Sequence, residues 1–281
     1  MDIRNPFPKR GQQKRLLVQL MAFLCTNSQF FNLFSGSLYK GKLKTICAPG
    51  LNCWSCPAAA LACPLGALQV AGSPAGRISL YAGGFLLLTG LLLGRAVCGW
   101  LCPFGLLQEL LHRLPFPKRT LWRPLGNLRY LLLAFFVLLL PALTAELYGV
   151  ATPAFCKYIC PAGTLEAGLP LLAAHDSFRG LAGALFGWKA AVLTVVVVLC
   201  LSIHRFFCQA LCPLGAIYGL LNRLSLYRLT ISEECTGCGK CAAVCPVSLD
   251  PRREGNSAAC LRCGKCSDHC PAGAIRIGFK T

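Results

Sequence analysis

Apolar residues gather along this chain in four long runs, with cores at 16–34, 79–97, 129–147 and 187–204. Stretches of this length predict membrane helices. The third, "YLLLAFFVLLLPALTAEL", carries the clearest pattern. Asn27, Ser28, Gln29 and Asn32 interrupt the first, so an interfacial helix buried in the protein is the alternative there. The second and fourth runs are short against the about 20 residues that a bilayer of about 30 Å requires. Their ends should sink below the surface, or the bilayer should thin around them. From 225 to 281 the pattern turns polar and Cys-dense, which predicts a small soluble domain. The expected fold class is an α-helical integral membrane protein of about four spans in residues 1–224, followed by an α+β domain in 225–281.

Charge orients these helices. Lys and Arg number 28 against 10 Asp and Glu, a net charge of +18. On a soluble protein that excess would suggest nucleic acid. Here the basic residues cluster at the ends of the apolar runs, as in "RNPFPKRGQQKR" and "HRLPFPKRTLWRPLGNLR". This positive-inside pattern argues against nucleic acid as a partner. It puts the N-terminus, the 112–129 loop and everything after 204 in the cytoplasm, with loops 35–78 and 148–186 outside. Lys40, Lys42 and Lys44 run against the assignment, but long loops weigh less in that rule. With 55% hydrophobic residues and a mean hydropathy of +0.57, a multi-pass protein of the cell membrane is expected, in contact with lipid. No cleavable signal peptide is expected, because the first run has polar interruptions and no small-residue cleavage site behind it.

The chain also repeats itself. "GRAVCGWLCPFGLLQELLHRL" matches "IHRFFCQALCPLGAIYGLLNRL", with Arg95 and Arg205 each three residues ahead of the first Cys. "NCWSCPAAALA" loosely matches "FCKYICPAGTLEAG". Two halves around a shared centre are a common membrane architecture.

The 20 Cys decide the chemistry. Disulfide scaffolds are mostly small and secreted, whereas the Cys spacing here is regular and ends in Pro, as in metal-binding runs. "CTGCGKCAAVCP" supplies Cys235, Cys238, Cys241 and Cys245; "CLRCGKCSDHCP" supplies Cys260, Cys263, Cys266 and Cys270. This is the bacterial two-cluster ferredoxin spacing, in which the fourth Cys ligates the other cluster. One [4Fe–4S] is therefore expected on Cys235, Cys238, Cys241 and Cys270, and a second on Cys260, Cys263, Cys266 and Cys245. Zinc has no need of the third Cys or the Pro.

The signature C-P-x-G-x-[LI] recurs at Cys63, Cys102, Cys160, Cys212 and Cys270, and nearly at Cys56. Pro favours the first helical position, which sets the Cys at a helix N-terminus, where free N–H groups favour thiolate. Gly would let the backbone approach the inorganic core. A single C-x3-C supplies two ligands, and the duplication supplies four. Cys98, Cys102, Cys208 and Cys212 should hold a third cluster at the cytoplasmic ends of helices two and four. A fourth is expected outside, on Cys156 and Cys160 with two of Cys47, Cys53, Cys56 and Cys63. The repeat favours Cys53 and Cys56; the Cys-Pro signature favours Cys63; a Cys47–Cys63 disulfide is the alternative. Cys25 and Cys200 read as packing residues, His112 and His204 as interfacial anchors, Glu109, Glu146 and Glu166 as solvated or capping groups, and the four Trp as an interfacial belt.

"CGWLCPFG", "CQALCPLGAIYGLLNRLSLYRL" and the tandem ferredoxin runs resemble the NapH/NosR/MauN-type membrane polyferredoxins over roughly 80 to 281. The likeness is closest to a subgroup found in anaerobic bacteria. It implies electron transfer between quinol or a cytoplasmic donor and periplasmic redox partners. The chain departs from that pattern in having no large flavin-binding periplasmic domain and in its extra outer-loop Cys. The expected function is electron transfer through four [4Fe–4S] clusters, as a subunit of an oxidoreductase complex. Expected partners are a cytoplasmic ferredoxin or reductase and an extracytoplasmic flavin or haem protein. Alternatives are a quinol or quinone oxidoreductase subunit, with quinone as a partner, and an accessory protein supplying electrons for metal or cofactor assembly. No catalytic residue is expected.

Overall fold

The computed structural model describes residues 10–70, 76–176, 180 and 182–279. Helices dominate it. The first, α1 (Arg10–Thr26), stops where polar side chains take its last carbonyls: Thr26 Oγ1 donates to Ala22 O at 2.8 Å and Asn27 Nδ2 to Phe23 O at 3.2 Å. The run expected as one helix over 16–34 is thus two, and the short α2 (Phe31–Ser35) ends on left-handed Gly36. There follow α3 (Pro64–Gln69), α4 (Gly76–Leu93), α5 (Ala96–Trp100) and α6 (Pro103–His112). Next come the long α7 (Arg123–Tyr148), α8 (Ala154–Tyr158) and α9 (161–174). The second half closes with α10 (Ala184–Ser202), α11 (Phe206–Ala210) and α12 (Pro213–Leu221).

Both α7 and α9 widen into π turns, at Leu133–Leu139 and Thr164–Gly168, just ahead of Pro141 and Pro170. Proline lacks the N–H that would close the α-helical ladder, and the wider turn absorbs the missing bond.

Among the described residues, α7 and α10 are long and apolar enough to cross a membrane; the apolar stretch Leu80–Leu93 of α4 is shorter. Of the four expected spans, α1 is the one that the polar break at Asn27 cuts short. The long helices turn large apolar side chains outward, with Leu80 79%, Leu131 60% and Val195 57% exposed. A belt of this kind marks contact with lipid or another apolar partner.

The two repeats interlock rather than stand side by side. Helix α6 packs along α10 of the other half, and α12 packs along α4. Tyr218 of α12 lies 3.2 Å from Thr89 of α4 through their hydroxyls, and His112 at the end of α6 reaches Cys200 O of α10 at 3.2 Å. The helices α6 and α12 therefore each run back along the other repeat's long helix.

The C-terminal domain is small. Strands β1 (Tyr227–Ile231) and β2 (Ile275–Phe279) pair antiparallel, Leu229 opposite Ile277, and join the two ends of the segment. Between them lie α13 (Lys240–Ala243), α14 (Pro251–Glu254) and α15 (Lys265–Asp268). This unit seats on the ends of α4, α5 and α12. Trp100 Nε1 donates to Arg262 O at 3.0 Å, Asn222 Nδ2 to Ser257 O at 2.7 Å, and Arg95 Nη1 to Ala258 O at 2.8 Å. Trp100 accordingly lies in this joint, not in an interfacial belt.

Candidate metal centres

Thiols line a pair of clefts in the C-terminal domain. Cys235, Cys238, Cys241 and Cys270 line one; Cys245, Cys260, Cys263 and Cys266 line the other. Each takes three thiols from one run and the fourth from the other. The turn inside each run needs a left-handed residue, and Gly239 (φ 73°) and Gly264 (φ 81°) supply it just ahead of α13 and α15. Burial pushes the Cys260 thiol up to about 11 and that of Cys266 to about 12, with the neighbouring thiols adding to the effect. Thiols crowded in this way become thiolates only against a cationic centre, so the donor set fits an iron–sulfur core.

Cys98, Cys102, Cys208 and Cys212 come together between the two repeats. All four are buried, and Cys102 and Cys212 are each within electrostatic reach of Cys208 and Cys98. Cys102 and Cys212 stand at the N-termini of α6 and α12 with Pro next. Their sulfurs accept N–H bonds from Leu51 and Gly215, both at 3.4 Å. The repeats are tied by an exchange of arginines: Arg95 Nη2 donates to Cys208 O at 2.8 Å, and Arg205 Nη1 donates to Cys98 O. Gly105 and Gly215 make room for these carbonyls, since a Cβ at either would sit 3.0 Å from Cys98 O or Cys208 O. At these two positions the glycine of the signature admits a close approach of backbone to backbone.

Both arginines are 0% exposed, and their Nε atoms have no hydrogen-bond partner. Glu109 bridges Arg205 and Arg15, with Arg205 Nη2 at 2.8 Å. Glu109 is a buried counter-ion rather than a solvated residue. One carboxylate among these guanidinium groups leaves a surplus of buried positive charge, which an anionic thiolate-bound cluster would balance.

A second membrane-side group gathers Cys53, Cys63, Cys156 and Cys160. Cys160 is within electrostatic reach of Cys156, Cys53 and Cys63. Cys63 and Cys160 again stand at helix N-termini with Pro next. Glu166, six residues after Cys160, accepts the backbone N–H of Cys53 at 2.8 Å and so holds that segment over α9. A Cβ on Gly163 would stand 3.4 Å from Cys53 Sγ. Cys56 turns aside toward Ala58 and Ala59, and the backbone carbonyls of Cys56 and Ala59 accept from Lys44 Nζ at 3.1 and 2.8 Å. Cys47 and Cys63 are unbonded thiols, and Cys47 makes a backbone bridge with Ala62, the neighbour of Cys63.

The two membrane-side groups adjoin. Cys63 is within electrostatic reach of Cys102, and a Cβ on Gly50 would stand 2.7 Å from Cys102 Cα. The segment 47–63, expected outside, therefore reaches down onto the group expected at the cytoplasmic rim. Among the described residues no three His, Cys, Asp or Glu gather at the spacing of a single metal ion. A four-iron core holds its thiolates farther apart than one ion does.

Other readings change with the fold. Cys200 is buried and its Sγ lies 3.5 Å from Gln108 Oε1, whereas Cys25 is exposed on α1. His112 and His204 pair edge to face at 5.3 Å, with His204 buried, so they are packed together rather than anchored separately. Sequence reasoning missed Gln69 and Gln108, whose signal was their shared place six residues after a Cys-Pro cysteine.

A family described as "4Fe-4S binding domain" matches residues 230–248 and 255–276, and a second of the same description matches 75–121, 132–170 and 184–231. The fold and these matches define a protein of the [4Fe–4S] ferredoxin class with a membrane-type helical region. Similar chains include YccM of Escherichia coli K12, 34% identical over 60% of this chain and 47% of that one. MauN of Paracoccus denitrificans, named a methylamine utilization ferredoxin-type protein, is 31% identical over 60% of this chain and 53% of its own length. The regulatory protein NosR of Pseudomonas aeruginosa is 30% identical over 59% of this chain and 22% of its own. The chain belongs to the MauN/NosR-type polyferredoxin family. It spans about half the length of the first two of these relatives. No solved structure matches it.

Proposed function

We propose that this chain carries electrons between a cytoplasmic donor and an acceptor in or beyond the membrane, through four [4Fe–4S] clusters. A [4Fe–4S] cluster supplies a one-electron couple. Residues 225–281 would hold two, on Cys235, Cys238, Cys241 and Cys270 and on Cys260, Cys263, Cys266 and Cys245. The membrane region, residues 1–224, would hold two more, on Cys98, Cys102, Cys208 and Cys212 and on Cys53, Cys63, Cys156 and Cys160. Cys47 and Cys56 stay outside this set.

The observation that carries the reading is the order of the thiol groups. Leu261, beside Cys260, lies with its carbonyl against Gly99, the neighbour of Cys98; a Cβ on Gly99 would stand 2.6 Å from Leu261 O. Cys102 then meets the 47–63 segment and Cys63. Backbone contact thus links three zones of thiols from the C-terminal domain to the 148–186 side. A bilayer of about 30 Å blocks electrons unless stepping stones divide it. On this reading α1, α4, α7 and α10 are the four membrane-spanning or membrane-seated helices. The C-terminal domain lies in the cytoplasm, and redox proteins dock at both ends.

The test is iron and acid-labile sulfide on anaerobically purified protein. Four quartets, sixteen of the 20 Cys, require about sixteen iron per chain. About eight iron would mean that only the C-terminal domain is filled, and the membrane path would fall.

A further inference from the structure

We propose that Gln69 and Gln108 are a duplicated pair of positioning residues, each donating one side-chain N–H to a cluster thiolate, on Cys156 and Cys208, and so setting the reduction potential at that site. The proposal rests on the reading that the two membrane-side quartets hold [4Fe–4S] clusters.

The two glutamines occupy the same place after the Cys-Pro signature, six residues past Cys63 and Cys102. Three of their contacts coincide. Gln69 Nε2 donates to Cys156 Sγ at 3.1 Å, and Gln108 Nε2 donates to Cys208 Sγ at 3.0 Å. The Gln69 carbonyl accepts the N–H of Phe155 at 2.8 Å, and the Gln108 carbonyl accepts that of Phe207 at 3.1 Å. The second amide hydrogen goes in each case to the carbonyl four residues back, Leu65 at 3.1 Å and Phe104 at 3.3 Å. Both side chains are 1% exposed. Fixing the amide oxygen on a backbone N–H leaves the NH₂ no choice but to face the sulfur.

The two other Cys-Pro helices of the membrane region carry Glu166 and Tyr218 at this position. Glu166 accepts from Cys53 N, and Tyr218 Oη donates to Pro49 O at 2.9 Å. Neither bonds a sulfur. Each quartet therefore receives one glutamine N–H, always on the first Cys of the C-x3-C motif in the opposite half. A donor to a thiolate favours the more negative, reduced state and raises the potential. It also fixes the Cys rotamer from the other repeat, which an isolated C-x3-C loop could not do.

The experiment is an EPR-monitored redox titration of the detergent-purified holoprotein, with Gln69→Met and Gln108→Met. The signals are assigned beforehand by their loss in Cys160→Ser and Cys212→Ser. Gln108→Met should shift the Cys212-dependent signal about tenfold against reduction, about 59 mV for a one-electron couple. It should leave the Cys160-dependent signal in place and the iron content at the wild-type level. Gln69→Met should do the reverse. Unchanged potentials with full iron would overturn the proposal, and so would loss of about four iron in either variant, because the amide would then only hold backbone. A measurement on the wild type needs no variant to fold: a side-chain ¹⁵N-glutamine label should couple to both signals in pulsed EPR, and its absence would sink the donor role. Wild-type protein with about eight iron would overturn the quartets themselves, an outcome separable from all of these.

Discussion

Arg95 and Arg205 show how one residue type ties two distant motifs. Each lies three residues ahead of its own Cys, yet each guanidinium serves the Cys carbonyl of the other half. A buried guanidinium left without its carboxylate is costly, so Glu109→Ala, which strands Arg205 and Arg15 together, should destabilise the fold by about 3–5 kcal/mol. A denaturant midpoint would measure it; a change within error would mean that other groups balance these charges. The thiols permit a sharper comparison. Cys102→Ser and Cys212→Ser should abolish the same EPR signal, and the double variant should lose no more than either alone. Additive losses would mean separate sites. In the outer group, Cys53→Ser should remove the Cys160-dependent signal while Cys56→Ser keeps it. The sequence left the outer pair open, because the repeat favoured Cys53 with Cys56 and the Cys-Pro signature favoured Cys63. In the fold Cys53 Sγ lies over Gly163 and within reach of Cys156, which supports Cys53 in this expectation.

At the scale of elements, the Cys-Pro helices were legible and their partners were not. Pro at the first helical position marks where α3, α6, α9 and α12 begin, a local steric rule that needs no tertiary context. What each helix packs against depends on the whole bundle, and α6 and α12 lie on the other half's long helix. The break after Thr26 was signalled by Asn27, Ser28 and Asn32, but apolar residues on both sides masked it. The joint between α5 and the C-terminal domain offers a test. In Gly99→Ala the new Cβ would stand 2.6 Å from Leu261 O, a backbone atom that cannot swing away. That variant should keep its full iron content yet pass electrons from the C-terminal domain to the membrane region more slowly. Stopped-flow reduction by dithionite should then show normal bleaching of the C-terminal clusters and a delayed second phase. An unchanged second phase would mean that electrons enter elsewhere.

For the whole molecule the question is which side each end faces. Reporter fusions at Pro117 and at the C-terminus should read cytoplasmic, and a fusion near Asp176 should read external, because the 112–129 loop holds the densest basic cluster between apolar runs. The companion site at Ser73 lies outside the described residues. A cytoplasmic reading at Asp176 would put both membrane-side quartets on one side, and the chain would then serve a membrane-bound acceptor without crossing. The surface agrees with a lipid setting: α7 and α10 keep few of their side chains inside and turn leucine and valine outward. The depth of the quartets was not foreseen. Positive charge locates helix ends, whereas the contact of Gly50 and Leu51 with Cys102 arises from a loop folding back into the bundle.

Spacing within a run of Cys is a local property. Three thiols within seven residues can face one core whatever surrounds them, so the ferredoxin run could be read from the chain alone, as could the helix starts at Cys63, Cys102, Cys160 and Cys212; at Cys56 and Cys270 the same Cys-Pro opens a turn and no helix. Bringing Cys98 to Cys208, or Cys53 to Cys160, is a different problem. These residues are more than a hundred positions apart, and nothing in the covalent chain sets their distance. Only the packed bundle does so, through the crossed arginines, the two glutamines and the glycines that let one half's carbonyls touch the other's helices. Buried polar groups must find partners at the distances the fold allows, and no spacing within a single run of the chain sets those distances.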